Sequence, residues 1–280
     1  MKSPLLAYFG HHKAATTWLS NIVRNICAEV NWKACYVSNA KMFDFKLNEF
    51  VHQNKVDFLC YTNANFKYVK ELDNFRGFHV IRDPRDVLVS GYFSHRYSHP
   101  TNRWSELVEH RSKLENLSKE EGLLLEIEFS KRFLEEMYTW DYSLSNVYEI
   151  KMENLVNDPY NEIIQACYFL GIVNEPTFKE RFSYLTAMFL NRALEKSGKF
   201  SFSMSMNKIP EERLLRLIYK NQFPRKSKGR NQGKEDKKSH YRKGVAGDWK
   251  NHFNQEHTRV FKNKYNQILI KLGYEEDDNW

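Results

Sequence analysis

Three short segments of this chain carry residues suited to holding phosphate. The first is Gly10-His11-His12-Lys13-Ala14-Ala15-Thr16-Thr17-Trp18. A turn that feeds a helix presents free backbone N–H groups at the positive end of the helix dipole, which makes an anion site. Lys13 adds a point charge there, and Thr16 and Thr17 add hydroxyl donors. The Gly-Lys-Ser/Thr ending of nucleotide-triphosphatase loops is absent. The second segment is Arg82-Asp83-Pro84-Arg85-Asp86-Val87-Leu88-Val89-Ser90. Arg82 stands at the predicted carboxyl end of a strand, where α/β sheets bind ligands, and Ser90 lies two helical turns further on. The third is Tyr241-Arg242-Lys243-Gly244-Val245-Ala246-Gly247-Asp248-Trp249-Lys250, in which adjacent cations and a following glycine can converge on one anion. Each alone has a plain structural alternative: a capped turn, an Arg–Asp network through Asp83 or Asp86, and the tail of a solvated basic run.

The elements that must position these residues follow from periodicity. Leu5 to Phe9 reads as a buried strand, and Leu19, Ile22, Val23, Ile26 and Val30 recur at helical spacing after the turn. Val56–Cys60, Gly77–Ile81 and Asn146–Met152 read as further strands. Pro84 fits the first turn of a helix with Asp83 as its cap, and Pro159 opens another that Gly171 stops. The stretch from Trp104 to Trp140 reads as helical. A closing helix gathers Val260, Phe261, Tyr265, Ile268, Leu269 and Leu272 on one face and ends at Gly273. Alternating strands and helices predict an α/β fold, a mostly parallel central sheet flanked by helices, in one domain over residues 1–280. The basic stretch from about 223 to 243 reads as a mobile loop.

Composition narrows the partners. A net charge of +8 over 280 residues favours an anionic ligand such as a nucleotide, nucleic acid, acidic glycan or membrane surface. No nucleic-acid module is legible, so nucleic acid is not expected as a partner. Cys27, Cys35, Cys60 and Cys167 lack zinc-site or redox spacing and read as free thiols of a reducing, cytoplasmic compartment. The five apolar residues Leu5–Phe9 are too few for a secretory core, and no run approaches the ~18 of a membrane span, so no membrane association is expected.

Taken together, the three segments resemble the sulfotransferases that use 3′-phosphoadenosine 5′-phosphosulfate (PAPS), especially the cytosolic type. The family's first signature reads Pro-Lys-Ser-Gly-Thr-Thr-Trp, and His12 to Trp18 is similar to it. Its second joins an Arg, a Pro and Asp, and a later Ser, as Arg82 to Ser90 does. Its third, Arg-Lys-Gly-x-x-Gly-Asp-Trp-Lys, is matched in full by Arg242 to Lys250. A looser likeness covers Met152 to Pro159 and Phe169-Leu170-Gly171, so the resemblance runs from Leu5 to about Phe253.

The resemblance implies that PAPS is the co-substrate, without a metal, and that its sulfuryl group moves to a hydroxyl or amine of a small-molecule acceptor. By position, Lys13, Thr16 and Thr17 with the amides of Ala14 and Ala15 would hold the 5′-phosphosulfate, Lys13 acting on the leaving oxygen. Trp18 would flank the adenine. Arg82, Ser90, Arg242, Lys243 and the amide of Gly244 would hold the 3′-phosphate, under a lid formed by the basic loop. Two other classes stay open: a nucleotide-binding homologue without catalysis, and an ATP-dependent phosphotransferase.

The chain also departs from the family. Ala14 and Ala15 replace Ser-Gly, so the loop lacks glycine's conformational freedom. Met152 stands where a Tyr is common. Asn254, Gln255 and Arg259 depart from the dimerisation signature, which leaves the oligomeric state open. The family's basic His follows a central strand, but Leu59-Cys60-Tyr61-Thr62-Asn63 carries none. His12, His52, His95, Asp44 and Asp57 are candidates for the general base, and His79 reads as a core residue. Neither spacing nor composition offers a metal-ligand cluster. Aromatic segments at Tyr92–Tyr97, Phe129–Tyr142 and Tyr184–Phe202 could wall an acceptor pocket.

Overall fold

Strand β1 (Leu5–Gly10) is buried along nearly its whole length and forms the middle of a five-stranded parallel sheet. The computed structural model describes residues 3–102, 104–174 and 208–280. The other strands are β2 (Ala34–Val37), β3 (Phe58–Tyr61), β4 (Phe75–Ile81) and β5 (Val147–Lys151), and the spatial order is β2-β3-β1-β4-β5. From β1 the chain crosses to the edge strand β2, comes back to β3 beside β1, and then passes to β4 and β5 on the other side, which puts a topological switch at the carboxyl ends of β1 and β4. Register pairs Gly10 with Val80, so the segments leaving these two strands emerge side by side.

Helices cover both faces. Because successive strand residues point to opposite faces, Leu6 and Tyr8 of β1 join one core while Ala7 and Phe9 join another. Against the first pack α1 (Thr16–Val30), through Leu19, Ile22, Val23, Ile26 and Val30, and α9 (Pro159–Phe169), through Ile163, Ala166 and Cys167. The second takes residues of the short α2 (Leu47–Gln53) and α3 (Phe66–Val69) with the fully buried Trp140. Next to Arg82, α4 (Pro84–Tyr97) opens as its sequence predicts: Asp83 caps the amide of Arg85 at 2.9 Å and Pro84 occupies the first turn.

The stretch from Trp104 to Trp140 is helical, as expected, and divides into three helices: α5 (Ser105–Glu115), α6 (Lys119–Phe129) and α7 (Lys131–Tyr138). Ser118 and Glu121 form a capping box that starts α6 afresh, a local signal that the even Glu/Lys/Leu composition hides. After α8 (Met152–Asn157) and α9, the chain pairs Val173 with Ile209 in a two-stranded ribbon, β6 (Val173–Asn174) and β7 (Ile209–Pro210). Next come α10 (Glu211–Asn221) and α11 (Phe223–Lys226). The last helix, α12 (Gln255–Lys271), buries Phe261, Tyr265, Ile268 and Leu269, with Gly273 at φ 66° just beyond its end. Among the described residues no helix is long and apolar enough to cross a membrane.

Candidate active site

The loop after β1 is a turn closed by a hydrogen bond from the Ala14 amide to the His11 carbonyl, 3.1 Å. Ala15 then takes the N-cap position of α1 at φ 60°, ψ 19°, and no side chain caps the helix. The first-turn amides thus have no side-chain cap, at the positive end of a 15-residue helix, where an anion is favoured. Lys13 also has positive φ, 63°. Left-handed backbone costs an alanine about 1–2 kcal/mol, part of which glycine would return as chain entropy. Ala15→Gly should therefore stabilise the protein by about 0.5–1 kcal/mol in urea unfolding; a lowered midpoint would contradict the strained turn.

Arg82 leaves β4 beside this turn and donates to the Lys13 carbonyl at 3.0 Å. Asp86, one turn into α4, accepts from the amides of Gly247 (2.7 Å) and Trp249 (2.9 Å) and lies 3.8 Å from Arg82. A single buried carboxylate therefore ties the second segment to the third. The remainder of the Arg82–Asp86 cluster is structural: Asp83 pairs with Arg85, which also reaches Glu275 and lies under Trp249 and Trp280.

These segments meet on one cavity of about 530 Å³, lined by Lys13, Ala15, Thr16, Thr17, Trp18, Arg82, Ser90, Arg242, Lys243 and Gly244. Of the predicted site residues, Ala14 alone does not line it: its side chain is fully buried and its amide is spent inside the turn. Gly244 sits at φ 70°, and a side chain there would run into the ring of Phe223, so only glycine lets the strand of cations pass that ring. The volume lies within the ~300–1,000 Å³ typical of small-molecule sites.

Sequence reasoning missed much of the far wall, where Tyr160, Asn221, Gln222 and His99 line the same cavity with Met152 and with Phe223, the first residue of the basic stretch. No spacing marks them, since they arrive from α9, α10, α11 and the turns that follow α4 and α10. Asn221 Oδ1 and Trp18 Nε1 are buried with no hydrogen-bond partner among the described residues, an acceptor and a donor beside a polar cavity.

Arg242 and Lys243 do not stand free. Both pair with Asp248, and Arg242 pairs with Glu235 as well. Burial pushes the Asp248 carboxyl up, but His252 at 3.3 Å and hydrogen bonds from Lys243, Asn251 and Arg242 hold it far below the ordinary range. The basic stretch is also less open than its composition suggests: Arg230 donates to the carbonyls of Tyr241 and Arg242, and the Gly233 amide donates to Lys243.

Lys13 is half-buried, and its ammonium is pushed down to about 7 by burial and by Arg82 and Arg242, against the pull of Glu126. Two imidazole chains flank it. His11 contacts His79 (2.7 Å), which contacts Glu149 (2.6 Å); these imidazoles are fully buried, as expected of a core His79. On the other side His12, which lines the cavity, contacts His95 at 2.9 Å, and His95 contacts Glu126 at 2.9 Å.

The other base candidates lie elsewhere. His52 is exposed beside Asp73, Asp57 accepts from the Lys33 amide, and Asp44 ends an exposed turn. The fold does assemble what spacing did not show, since His95, His110 and Glu126 bring their ligand atoms within 4.8 Å of one another. Their contacts of 2.8–2.9 Å are hydrogen bonds. Tyr92 and Phe93 pack in a core rather than along the cavity, and Phe133 stacks on His12 from behind. The Tyr184–Phe202 segment lies outside the described residues.

No curated protein matches this chain. Among solved structures it is similar to mouse sulfotransferase SULT7A1 complexed with PAP, at 17% identity and TM-score 0.51 over 96% of this chain and 84% of that one. It is also similar to retinol dehydratase in complex with androsterone and inactive cofactor PAP, at 15% identity and TM-score 0.52 over 96% and 81%. A retinol and PAP complex of retinol dehydratase gives 16% and 0.51 over 96% and 82%. At such identities the likeness shows the fold. The family of sulfotransferase domains matches residues 9–273, nearly the whole chain. This chain belongs to the sulfotransferase domain family.

Proposed function

We propose that this protein transfers the sulfuryl group of PAPS to a hydroxyl or amine of a small-molecule acceptor and releases adenosine 3′,5′-bisphosphate. The observation that carries this reading is the convergence of Arg82, Ser90, Arg242, Lys243 and Gly244 with the Lys13–Trp18 turn on one cavity. Two anion sites, one at the α1 N-terminus and one between α4 and the third segment, suit a nucleotide phosphorylated at both ends. Trp18, Phe223 and Met152 supply apolar surface for the base. The solved relatives were crystallised with PAP, and two of them with androsterone or retinol, which supports a bisphosphate and a small acceptor here.

In this reading Lys13 neutralises the bridging oxygen as it leaves with the 5′-phosphate, while the α1 amides and the Thr16 and Thr17 hydroxyls hold the group in line. The basic loop closes over the nucleotide, and Arg242 and Lys243 turn from Asp248 toward the 3′-phosphate. All four cysteines are free thiols, which suits a reaction in the cytoplasm.

Calorimetry with adenosine 3′,5′-bisphosphate and with AMP, at one salt concentration, tests the reading. Hydrogen bonds to a charged phosphate contribute about 1.5–3 kcal/mol each. Two of them predict at least a hundredfold weaker binding of AMP. Equal affinity, or no binding of the bisphosphate, would remove the basis for the sulfotransferase assignment.

A further inference from the structure

Sulfuryl transfer to a hydroxyl leaves a proton to be placed, and Tyr61-Thr62-Asn63 at the end of β3 offers no imidazole to take it. His12 offers one from another position. It lines the cavity immediately before Lys13, and its ring is fixed by stacking on Phe133 at 4.2 Å and by the edge of Trp104 at 5.7 Å. Behind it the contacts form an unbroken series. His12 Nε2 is 2.9 Å from His95 Nε2, and His95 Nδ1 is 2.9 Å from Glu126 Oε1. Glu126 also accepts from Ser130 Oγ at 2.8 Å and from His110 Nε2 at 2.8 Å. His95 and Glu126 have no solvent exposure.

Proton bookkeeping assigns the tautomers. The Glu126 carboxyl is held down to about 2 by His95 and His110 despite the opposing effect of burial, so it is an acceptor only. His95 must then carry its proton on Nδ1 and a lone pair on Nε2. The 2.9 Å contact between the two Nε2 atoms needs one donor, which makes His12 the Nε2–H tautomer. The lone pair of His12 is left on Nδ1.

Resting on the sulfotransferase reading, we propose that His12 is the general base and that His95 and Glu126 are its positioning residues. As the acceptor oxygen bonds to sulfur, its proton passes to His12 Nδ1 while the Nε2 proton of His12 passes to His95 Nε2. The bond from sulfur to the bridging oxygen breaks, and its electron pair leaves on the 5′-phosphate of the bisphosphate. The charge that results is an imidazolium on His95 against the Glu126 carboxylate, and its proton returns by the same route once products leave. His11 cannot take this part, because it lies fully buried and away from the cavity.

The groups facing His12 keep it ready. Burial, and then His95, Lys13, His99 and Arg132, push its imidazole well below the ordinary range, so it is neutral at physiological pH. His95 in turn faces Glu126, Lys13 and His110. A base in the neutral form loses activity as pH falls through its own pKa, so the rate of the wild-type protein should decline on the acid side.

The test uses the full chain and needs no known acceptor. Nitrogen-15 imidazole spectra, assigned by the signals lost in His12→Gln and His95→Gln, should show the Nε2–H form of His12 and the Nδ1–H form of His95. The Nδ1–H form of His12 would overturn the relay. Release of bisphosphate from PAPS with water as acceptor should fall roughly 10²–10⁴-fold in His12→Gln, with loss of the acid limb. In Glu126→Gln it should fall less, with the acid limb moved to lower pH because a negative charge beside His95 is gone. Bisphosphate affinity should stay within a few-fold in both variants. Variants that bind bisphosphate and turn over PAPS at the wild-type rate, or a wild type that binds it without releasing any from PAPS, would overturn the relay alone. Failure of the wild type to bind bisphosphate would overturn the sulfotransferase reading itself.

Discussion

Lys13→Met is expected to lower kcat roughly a thousandfold while weakening bisphosphate binding only about 10–100-fold. The asymmetry follows from when the charge is needed. In the proposed complex the bound phosphate is shared among the α1 amides, Thr16 and Thr17, so one lost cation would cost a single charge-assisted contact. In the proposed transition state the bridging oxygen gains charge, and Lys13, which lines the cavity at the turn, is the cation assigned to meet it. Its pKa adds a second readout. With the ammonium pushed down to about 7, only part of the population is charged at neutral pH, and a bound anion raises that pKa. Between the free and bound values the bisphosphate would therefore be taken up with a proton, and affinity should fall as pH rises above about 7. Calorimetry in buffers of different ionisation enthalpy would detect that uptake in the wild type and find it missing in Lys13→Met. An equal loss of kcat and affinity would sink the transition-state role.

Asp86→Ala should be the most damaging change to stability, at about 3–5 kcal/mol, a fall in Tm of roughly 6–15 °C. The carboxylate is fully buried and answers three groups at once: the amides of Gly247 and Trp249 and the guanidinium of Arg82. Alanine would leave two half-buried amides without their acceptor, at up to about 1–3 kcal/mol each, and Arg82 without its counter-charge. The effect should also reach the site, because Gly247 and Trp249 hold the segment that carries Arg242 and Lys243. Asp86→Asn keeps one acceptor oxygen and should fall between the two. Thermal unfolding with bisphosphate titration measures both; a variant with unchanged Tm and affinity would show that the third segment is held by other contacts.

Much of this layout was legible because its signals are local. The run Leu5–Phe9 is apolar enough to be a strand covered on both faces, and the helical spacing of Leu19, Ile22, Val23, Ile26 and Val30 names the buried stripe of α1. Asp83 and Pro84 mark the start of α4, and Gly273 the end of α12, through capping rules that need no tertiary contact. Where local signals were weak, the reading was incomplete. Strand β2 and the short α2 are held by packing against β3 and its core, and the separate start of α6 rests on one capping box.

By itself, then, the sequence determined which segments could bind phosphate and which elements carry them, since turn chemistry, charge and periodicity act over a few residues. Only the tertiary structure decided how those segments meet. The parallel order β2-β3-β1-β4-β5 places the ends of β1 and β4 side by side, and Asp86 draws in a third segment far along the chain. The same long-range packing aligned His12, His95 and Glu126, drawn from a loop and two helices that share no pattern in sequence. It also spent the Ala14 amide inside its turn and matched Asp248 to the two cations it balances. Hydrogen bonds between distant residues are set by the register of the sheet and the seating of helices on it, and no short-range rule encodes either.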